Sequence, residues 1–413
     1  MLVCLGASTA CAGELIKGIH VDGLERTSAR VVERELPFKR GDTWEESFQQ
    51  TSEKRLRNLG LFSEAYVHPP DHDGFVNIQV HERWSLWLLP EASRADNGAS
   101  SAGFALTEHN MWGLHHYLRL SSRWDTGKNF SQAQGRSYQA NYGWERIADS
   151  RYSADLGFNQ GTSRYDAYLN GVYTSRYLQT RKLFTLGVTK ALDEVPDEGW
   201  SLRLGLAMDH ARYSLKSGPA LADVQGHRKH SFESSLRYRN VNDHITWIEG
   251  EQFEYYSSAT VKQFGSTLSA WRQSLTWKRY MPIGDSDTTL NYRLSAGWLI
   301  GNILRDGLFD IGNRDGLRGY VPGELQGNYY LFGTLEGRMP LSAYPNVQLA
   351  AYTDAGHMQQ INQTALGKTL VVGTGVGARW TLRWLVNGTI RVDAAYGWAS
   401  KRWRYYLGTQ QAF

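Results

Sequence analysis

The chain has 413 residues, 21% of them charged, and no run approaches the roughly 18–20 apolar residues that a membrane-spanning helix requires. Aromatic residues make up 13%, with 15 Trp and 23 Tyr, and Gly contributes 42, which is too aromatic and glycine-rich for a disordered chain. The 45 basic residues against 41 acidic ones leave a formal charge of +4, which gives a polyanion no footing and sets nucleic acid aside as a partner.

Tyr, Trp and Gly in a polar background suit many short strands, above all a barrel with aromatic girdles in an outer membrane. The first stretch, Met1 to Ala12, carries no charge. Ala10-Cys11-Ala12 fits the small-x-small pattern of a signal cleavage site before Gly13, although the basic n-region is missing. A leader over 1–12 with a clipped or misassigned start is expected. A lipoprotein reading of Cys11 is weakened by Ser8, which stands where Leu would be expected. Both cysteines, Cys4 and Cys11, fall in this leader, so disulfide scaffolds and Cys-metal sites are not expected.

Residues 14–83 form the next unit. Ile16, Ile19 and Val21 predict a short strand that ends at Asp22-Gly23. Thr27 is placed to cap a helix through Arg34, with Val31 and Val32 on its buried side. A second helix is expected over Trp44–Leu59, where Trp44, Phe48, Leu56 and Leu59 recur at near-helical spacing and Gly60 supplies the C-cap. Phe62–Val67 and the alternating Val76, Ile78 and Val80 predict two strands around a turn at Asp71-His72-Asp73-Gly74. The order strand, helix, helix, strand, strand resembles a polypeptide-transport-associated (POTRA) domain. Gly23, Glu35-Leu36, Gly41, Leu56, Gly60, Phe62 and Val80-His81-Glu82 carry the resemblance. Such a domain exposes a sheet edge, whose open N–H and C=O groups an extended client peptide can complete. A dock for a partner lipoprotein fits the same edge.

From Trp84 onward the period is two. Tyr138, Ala140, Tyr142 and Trp144 share one face, as do Leu202, Leu204, Leu206 and Met208. Leu290, Tyr292, Leu294, Ala296 and Trp298 repeat the pattern, and so do Ile390, Val392, Ala394, Tyr396 and Trp398. A soluble sandwich also alternates. Here Trp and Tyr cap the apolar face, and charges such as Arg293 and Asp393 sit mid-strand on the other, as a wet lumen permits. The expected fold is therefore mainly β: a transmembrane antiparallel β-barrel over 84–413, preceded by one small α+β POTRA-like domain. At roughly ten spanning residues per strand plus about as many in turns, the span supports on the order of 16 strands. Closure is expected, because an open edge is untenable in lipid.

Gly301 to Asn328 is rich in Gly, Asn and Asp and too irregular for a strand. At its centre stands Gly316-Leu317-Arg318-Gly319-Tyr320. Two later strands bring acids to one inward parity, Glu336 among Tyr330, Phe332, Thr334 and Arg338, and Asp354 after Gln348, Ala350 and Tyr352. A guanidinium from the loop can fork onto such a carboxylate and hold the loop folded inward. Tyr320, Tyr352 and Phe332 fit equally well as packing beneath the loop.

Arg318-Gly319-Tyr320 resembles the loop motif of the BamA-like superfamily, the bacterial surface antigen barrels. Tyr352-x-Asp354-x-Gly356 resembles its partner motif, and Glu336 matches the acid on the strand between. Glu108-His109-Asn110-Met111-Trp112-Gly113 is similar to the family's early-barrel turn. The terminal Phe413, with Gly408 five residues before it, resembles an outer-membrane targeting signal, from which Gln411 departs.

The resemblance implies that Arg318 tucks into the barrel and contacts Asp354. It also implies a role in inserting barrel proteins into the outer membrane or in passing polypeptides across it, with the POTRA-like domain in the periplasm. Client polypeptides, the lipid bilayer or lipopolysaccharide, and periplasmic or lipoprotein partners follow, and a monomeric barrel is expected. One POTRA-like domain suits a narrow client range. Two-partner secretion transporters carry two such domains and a plug helix, which are not found here, and a passive porin needs neither the domain nor the inward loop.

No catalytic, metal or cofactor site is expected. No Gly-x-Ser-x-Gly elbow lies in an α/β context. His115 and His116 are adjacent and face opposite sides, while His227 and His230 read as loop residues with no convergent acid. Pro90, in the first barrel strand (about Trp84–Arg94), cannot donate to a ladder. The seam with the last strand (about Lys401–Phe413) is therefore expected to be weakly paired.

Overall fold

The computed structural model describes residues 14–94, 100–125, 135–169, 171–195, 198–284, 287–359 and 370–409. The leader over 1–12 and the terminal Phe413 lie outside them. The first unit contains strands β1 (Gly18–Asp22), β2 (Phe62–Val67) and β3 (Phe75–Glu82) and helices α1 (Ala29–Glu33) and α2 (Glu46–Asn58). β3 is central, parallel to β1 and antiparallel to β2, which leaves β1 and β2 as edges. Its core gathers Ile16, Val31, Val32, Leu56, Phe62, Val76 and Ile78.

Both helices start later than expected. Ser28, not Thr27, occupies the α1 N-cap, and the Thr27 hydroxyl instead accepts Asn110 Nδ2 at 2.8 Å. Trp44 lies ahead of α2 because its N–H donates to the carbonyl of Glu14 at 2.8 Å. Its ring still packs on Phe38 and Phe48.

The second unit is one antiparallel sheet of sixteen strands. Its first half is β4 (Leu86–Arg94), β5 (Ser100–Met111), β6 (His116–Asp125), β7 (Arg136–Trp144), β8 (Tyr152–Leu169), β9 (Val172–Ala191), β10 (Gly199–Ser217) and β11 (His227–Asp243). β12 (Ile248–Thr260), β13 (Ala270–Pro282) and β14 (Thr289–Gly301) follow. The loop after β14 carries the short pair β15 (Phe309–Asp310) and β16 (Gln326–Gly327). The sheet resumes with β17 (Tyr329–Leu341), β18 (Tyr344–Gln359), β19 (Val371–Thr381), β20 (Thr389–Gly397) and β21 (Arg402–Thr409).

Every strand of the large sheet pairs with its neighbours in chain order, and β14 meets β17 across the loop. The row has two ends, β4 and β21, and no ladder joins them among the described residues. The expected sealing of the cylinder by a ladder at this join is therefore not part of the described fold.

Alternation sorts the side chains as a lipid-facing sheet requires. Leu204, Leu331, Leu335 and Val376 are exposed at 59, 52, 51 and 59%, whereas Glu336, Asp354 and Arg379 are fully buried. An apolar outside and a charged inside invert the pattern of a water-soluble domain and match a wall between acyl chains and a polar bore.

The sheet curls, because turns far apart in the row meet the same small unit. Ser28 N–H donates to Gly113 O in the β5–β6 turn at 2.8 Å. Arg146, after β7, pairs with Glu35 at 3.0 Å. Lys54 and Arg55 of α2 hold Glu198, just before β10, at 2.8 and 3.0 Å, and Asn58 Nδ2 donates to Val241 O of β11 at 2.9 Å. Val386, in the β19–β20 turn, completes the small unit's own core. Burial lowers the Arg34 guanidinium at this junction; Glu35 opposes that shift and Arg146 adds to it. The early-barrel turn thus serves as a fastening. A Cβ at Gly113 would stand 2.3 Å from Arg26 O, so only glycine admits the approach.

Candidate functional site

The loop 302–328 folds onto the sheet's inner face. Its centre is irregular because Gly316 and Gly319 let the backbone turn twice within four residues. Gly319 has φ +97°, and a Cβ there would lie 2.6 Å from the Gly397 nitrogen. Gly319→Ala is therefore expected to lower stability by about 1–3 kcal/mol, read as the urea midpoint of the purified protein. An unchanged midpoint would show that the loop does not sit against β20.

This turn delivers Arg318, 2% exposed, to two acids that are fully buried. Its Nε and Nη2 donate to Asp354 Oδ2 and Oδ1 at 2.7 and 2.9 Å, and its backbone N–H adds a bond of 3.0 Å to Oδ2. Nη1 donates to Glu336 Oε2 at 2.6 Å. The guanidinium lies 3.2 Å from the centroid of the Tyr352 ring, an added cation–π contact. One side chain thus ties the loop to β17 and β18 together.

Glycines make the close approach possible. A Cβ at Gly373 would strike Arg318 O, and one at Gly356 would press on Ile311 and Leu317. Gly356 accordingly serves the loop as a floor. Tyr320 is fully buried. Its hydroxyl donates to Val372 O at 3.0 Å and accepts Ala399 N–H at 3.1 Å. Tyr406 of β21 accepts Gly319 N–H at 2.9 Å and donates to Tyr320 O at 3.0 Å. Phe332 packs in the same apolar cluster as Tyr320, with Arg293 over its ring. Gly408 of β21 faces Arg314.

The network is wider than Arg318, Glu336 and Asp354. Arg338 Nε donates to Glu336 Oε1 at 2.7 Å. Arg379 bridges Glu336 and Asp393 at 3.3 and 2.9 Å. Arg391 contacts Asp393 and reaches Asp315 in the loop at 3.1 Å. The i, i+2 pairs Glu336/Arg338 and Arg391/Asp393 were the available signal, since both members of each face inward. Each buried charge here faces one or more of opposite sign, which holds the cluster together as a latch, with Arg379 Nε left without an acceptor among the described residues.

A second anchor holds the loop's opening turn to the opposite wall. Arg305 forks onto Asp223 at 3.1 and 2.7 Å and contacts Tyr168 O. Asp306 accepts Tyr213 Oη at 2.9 Å and Lys229 Nζ at 3.2 Å. His227 Nε2 stands 3.3 Å from Asp306 and 3.6 Å from Asp209. His227 and His230 therefore lie in β11, not in a loop, and two acids converge on His227.

Outer lipid-type surface, charged interior, folded-in loop and appended small α+β unit together define a β-barrel protein of the outer-membrane type. The chain belongs to the Omp85 superfamily, whose domain matches residues 113–409, and a surface antigen variable number repeat of the POTRA type matches residues 15–83. It is 22% identical over 415 residues to the outer membrane protein assembly factor BamA of Neorickettsia risticii (strain Illinois), covering 92% of this chain and 52% of that protein. The chain thus spans about half the length of this curated relative.

Its fold is similar to that of BamA from Haemophilus ducreyi lacking POTRA domains 1–3, with a TM-score of 0.56 and 15% identity over 96% of this chain and 83% of that one. It is also similar to CdiB from Acinetobacter baumannii, at 0.61 and 17% over 95 and 73%, and to CdiB from Escherichia coli, at 0.65 and 16% over 97 and 74%.

Proposed function

We propose that the chain is an outer-membrane protein assembly factor, seated in the bacterial outer membrane with its POTRA-like unit in the periplasm. It takes client polypeptides on a POTRA sheet edge and passes them to a lateral seam between β4 and β21. The observation that carries this reading is the character of the seam strands. Among the described residues no ladder joins β4 to β21, whereas each of the other neighbouring pairs in the sheet is laddered. β4 also contains Pro90, which offers the ladder no N–H. A weakly paired, donor-poor join parts most cheaply, and each exposed edge is a template for a client strand.

The latch supports the same reading. Arg318, Gly319 and Tyr320 hold the bore's inner structure to β17–β21 through Glu336, Asp354 and Tyr406, so a parting seam leaves the wall beside it intact. Tyr352 and Gly356 seat the loop, and Gly408 with Phe413 marks the chain for delivery to the membrane. Lipid or lipopolysaccharide surrounds the outer face, a partner lipoprotein fits the remaining POTRA edge, and the barrel acts as a monomer.

Depletion of the protein, followed by comparison of outer-membrane proteomes, tests the proposal. A narrow set of barrel proteins is expected to fall. Loss of secreted or surface-exported proteins with every barrel retained would instead favour translocation through the lumen.

A further inference from the structure

We propose that the outer face of β9–β11 carries a site for the multiply phosphorylated headgroup of an outer-leaflet glycolipid of the lipopolysaccharide type. The inference rests on the outer-membrane seating proposed above and gives one lipid a fixed place on the wall. Ladder positions define the site. Lys182 of β9 is directly opposite His210 of β10, and His210 is directly opposite Arg228 of β11. Arg212 lies two residues beyond His210 on the same face, and all four side chains are exposed.

Below this row the same face turns apolar. The next outward positions are Phe184 and Met208, and the ones after them Leu186, Leu206 and Phe232, all exposed. The band closes at Trp200, which packs on Tyr238 and Phe253 near the POTRA-covered end. His210 lies ten positions beyond Trp200 in β10. At about 3.3 Å per residue and a tilt of about 40°, that is about 25 Å of height, the depth of an outer-membrane apolar band. The cationic row therefore sits at headgroup level in the leaflet away from the POTRA-like unit.

The side chains of Lys182, Arg212 and Arg228 have no hydrogen bond or ion pair among the described residues. Acids of the same region are engaged elsewhere. Asp209 is buried on the inner face, where Arg181 forks onto it at 2.7 and 2.8 Å. Asp166 holds Arg164 and Arg176, and Asp223 holds Arg305. Gln160, opposite Lys182, and Thr180, opposite Arg212, are uncharged. Between the cations, His210 Nε2 lies 3.0 Å from His230 Nε2, and His230 Nδ1 lies 2.5 Å from Phe264 O. A carbonyl only accepts, so His230 carries its proton on Nδ1 and its Nε2 accepts from His210. That bond fixes the His210 ring as a spacer between Lys182 and Arg228.

The arrangement selects the ligand. Lys182 and Arg228 are two strand spacings apart, about 9.6 Å, a gap that long snorkelling side chains can close over a headgroup. A lipid with one phosphodiester supplies one charge and leaves two of the three cations unmatched. A headgroup with two phosphate monoesters matches all three. A free anion gains nothing from Phe184, Met208 and Phe232 beneath the row, whereas a lipid lays its acyl chains on them.

The test uses the full chain in a neutral detergent, with native mass spectrometry to count the lipid retained. The probes are lipid A, the bisphosphorylated anchor of lipopolysaccharide, its dephosphorylated form, and phosphatidylglycerol. Lipid A is expected to bind about tenfold or more tighter than either control, and Lys182→Gln/Arg212→Gln/Arg228→Gln should remove that preference. Lys182→Arg should keep it. So should Lys190→Gln, which removes an exposed cation from the other end of β9, where Lys190 lies over the Tyr152 ring. Heat-modifiable migration on gels identifies any variant that fails to fold. For that case the wild-type chain gives a second reading: its hold on lipid A should weaken between about 50 and about 500 mM salt. Equal retention of the three lipids, wild-type retention in the triple variant, salt-independent binding, or displacement by inorganic phosphate at matched concentration would overturn the proposal. The assay needs no client, so its failure is distinct from failure of the assembly reading, which the depletion experiment reports.

Discussion

Arg318→Ala is expected to cost about 3–5 kcal/mol of stability and to abolish most activity, because it removes every described side-chain donor from the buried Asp354 carboxylate and one donor from Glu336. Asp354 and Glu336 are fully buried, and Arg318 supplies three hydrogen bonds to the first and one to the second. Without the guanidinium, Glu336 keeps Arg338 and Arg379. The side chain of Asp354 has a lesser reserve: apart from Arg318, no other residue is seen donating to it among the described contacts. The loss should therefore fall mostly on the Arg318–Asp354 contact.

A double-mutant cycle separates the pair from its surroundings. Asp354→Ala alone leaves Arg318 on Glu336, and the double variant should cost less than the two single costs together by about 0.5–3 kcal/mol. Denaturant midpoints of the purified protein and client assembly in cells give two independent readouts. Additive losses in both would show that the contact contributes nothing as a pair.

How much of this was legible in the sequence varies by level. The period-two runs placed Leu204 outside and Glu336 and Asp354 inside correctly, because strand side chains alternate whatever the tertiary context. Shared parity offered Arg318 either acid and the family resemblance implied Asp354, while the structure sets it on both. Arg379 was not read as a partner of Glu336 because it lies two strands away on β19; Asp393, diagonal to Arg379 on neighbouring β20, was placed inward but left without a partner. His227 looked like a loop residue because β10 and β11, at 19 and 17 residues, carry polar sequence on well-paired strands. The second anchor at Arg305 and Asp306 was missed for the same reason, since its partners Asp223, Tyr213 and Lys229 belong to that polar stretch. Thr27 looked like a cap because propensity sees only the local chain, while Asn110 of the large sheet claims its hydroxyl.

The central claim is that β4 and β21 part to admit a client strand, and locking that seam tests it most directly. Residues 14–413 contain no cysteine, so a pair introduced at facing positions of the two strands meets no competing thiol there. No ladder joins the two strands among the described residues, and Pro90 has no N–H to offer one, whereas a disulfide adds a covalent bond that client binding cannot break. Client assembly is measured with the pair oxidised, and again after reduction. Near-complete loss of assembly in the oxidised form, restored by reductant, is the predicted result; full assembly through a locked seam would contradict the account.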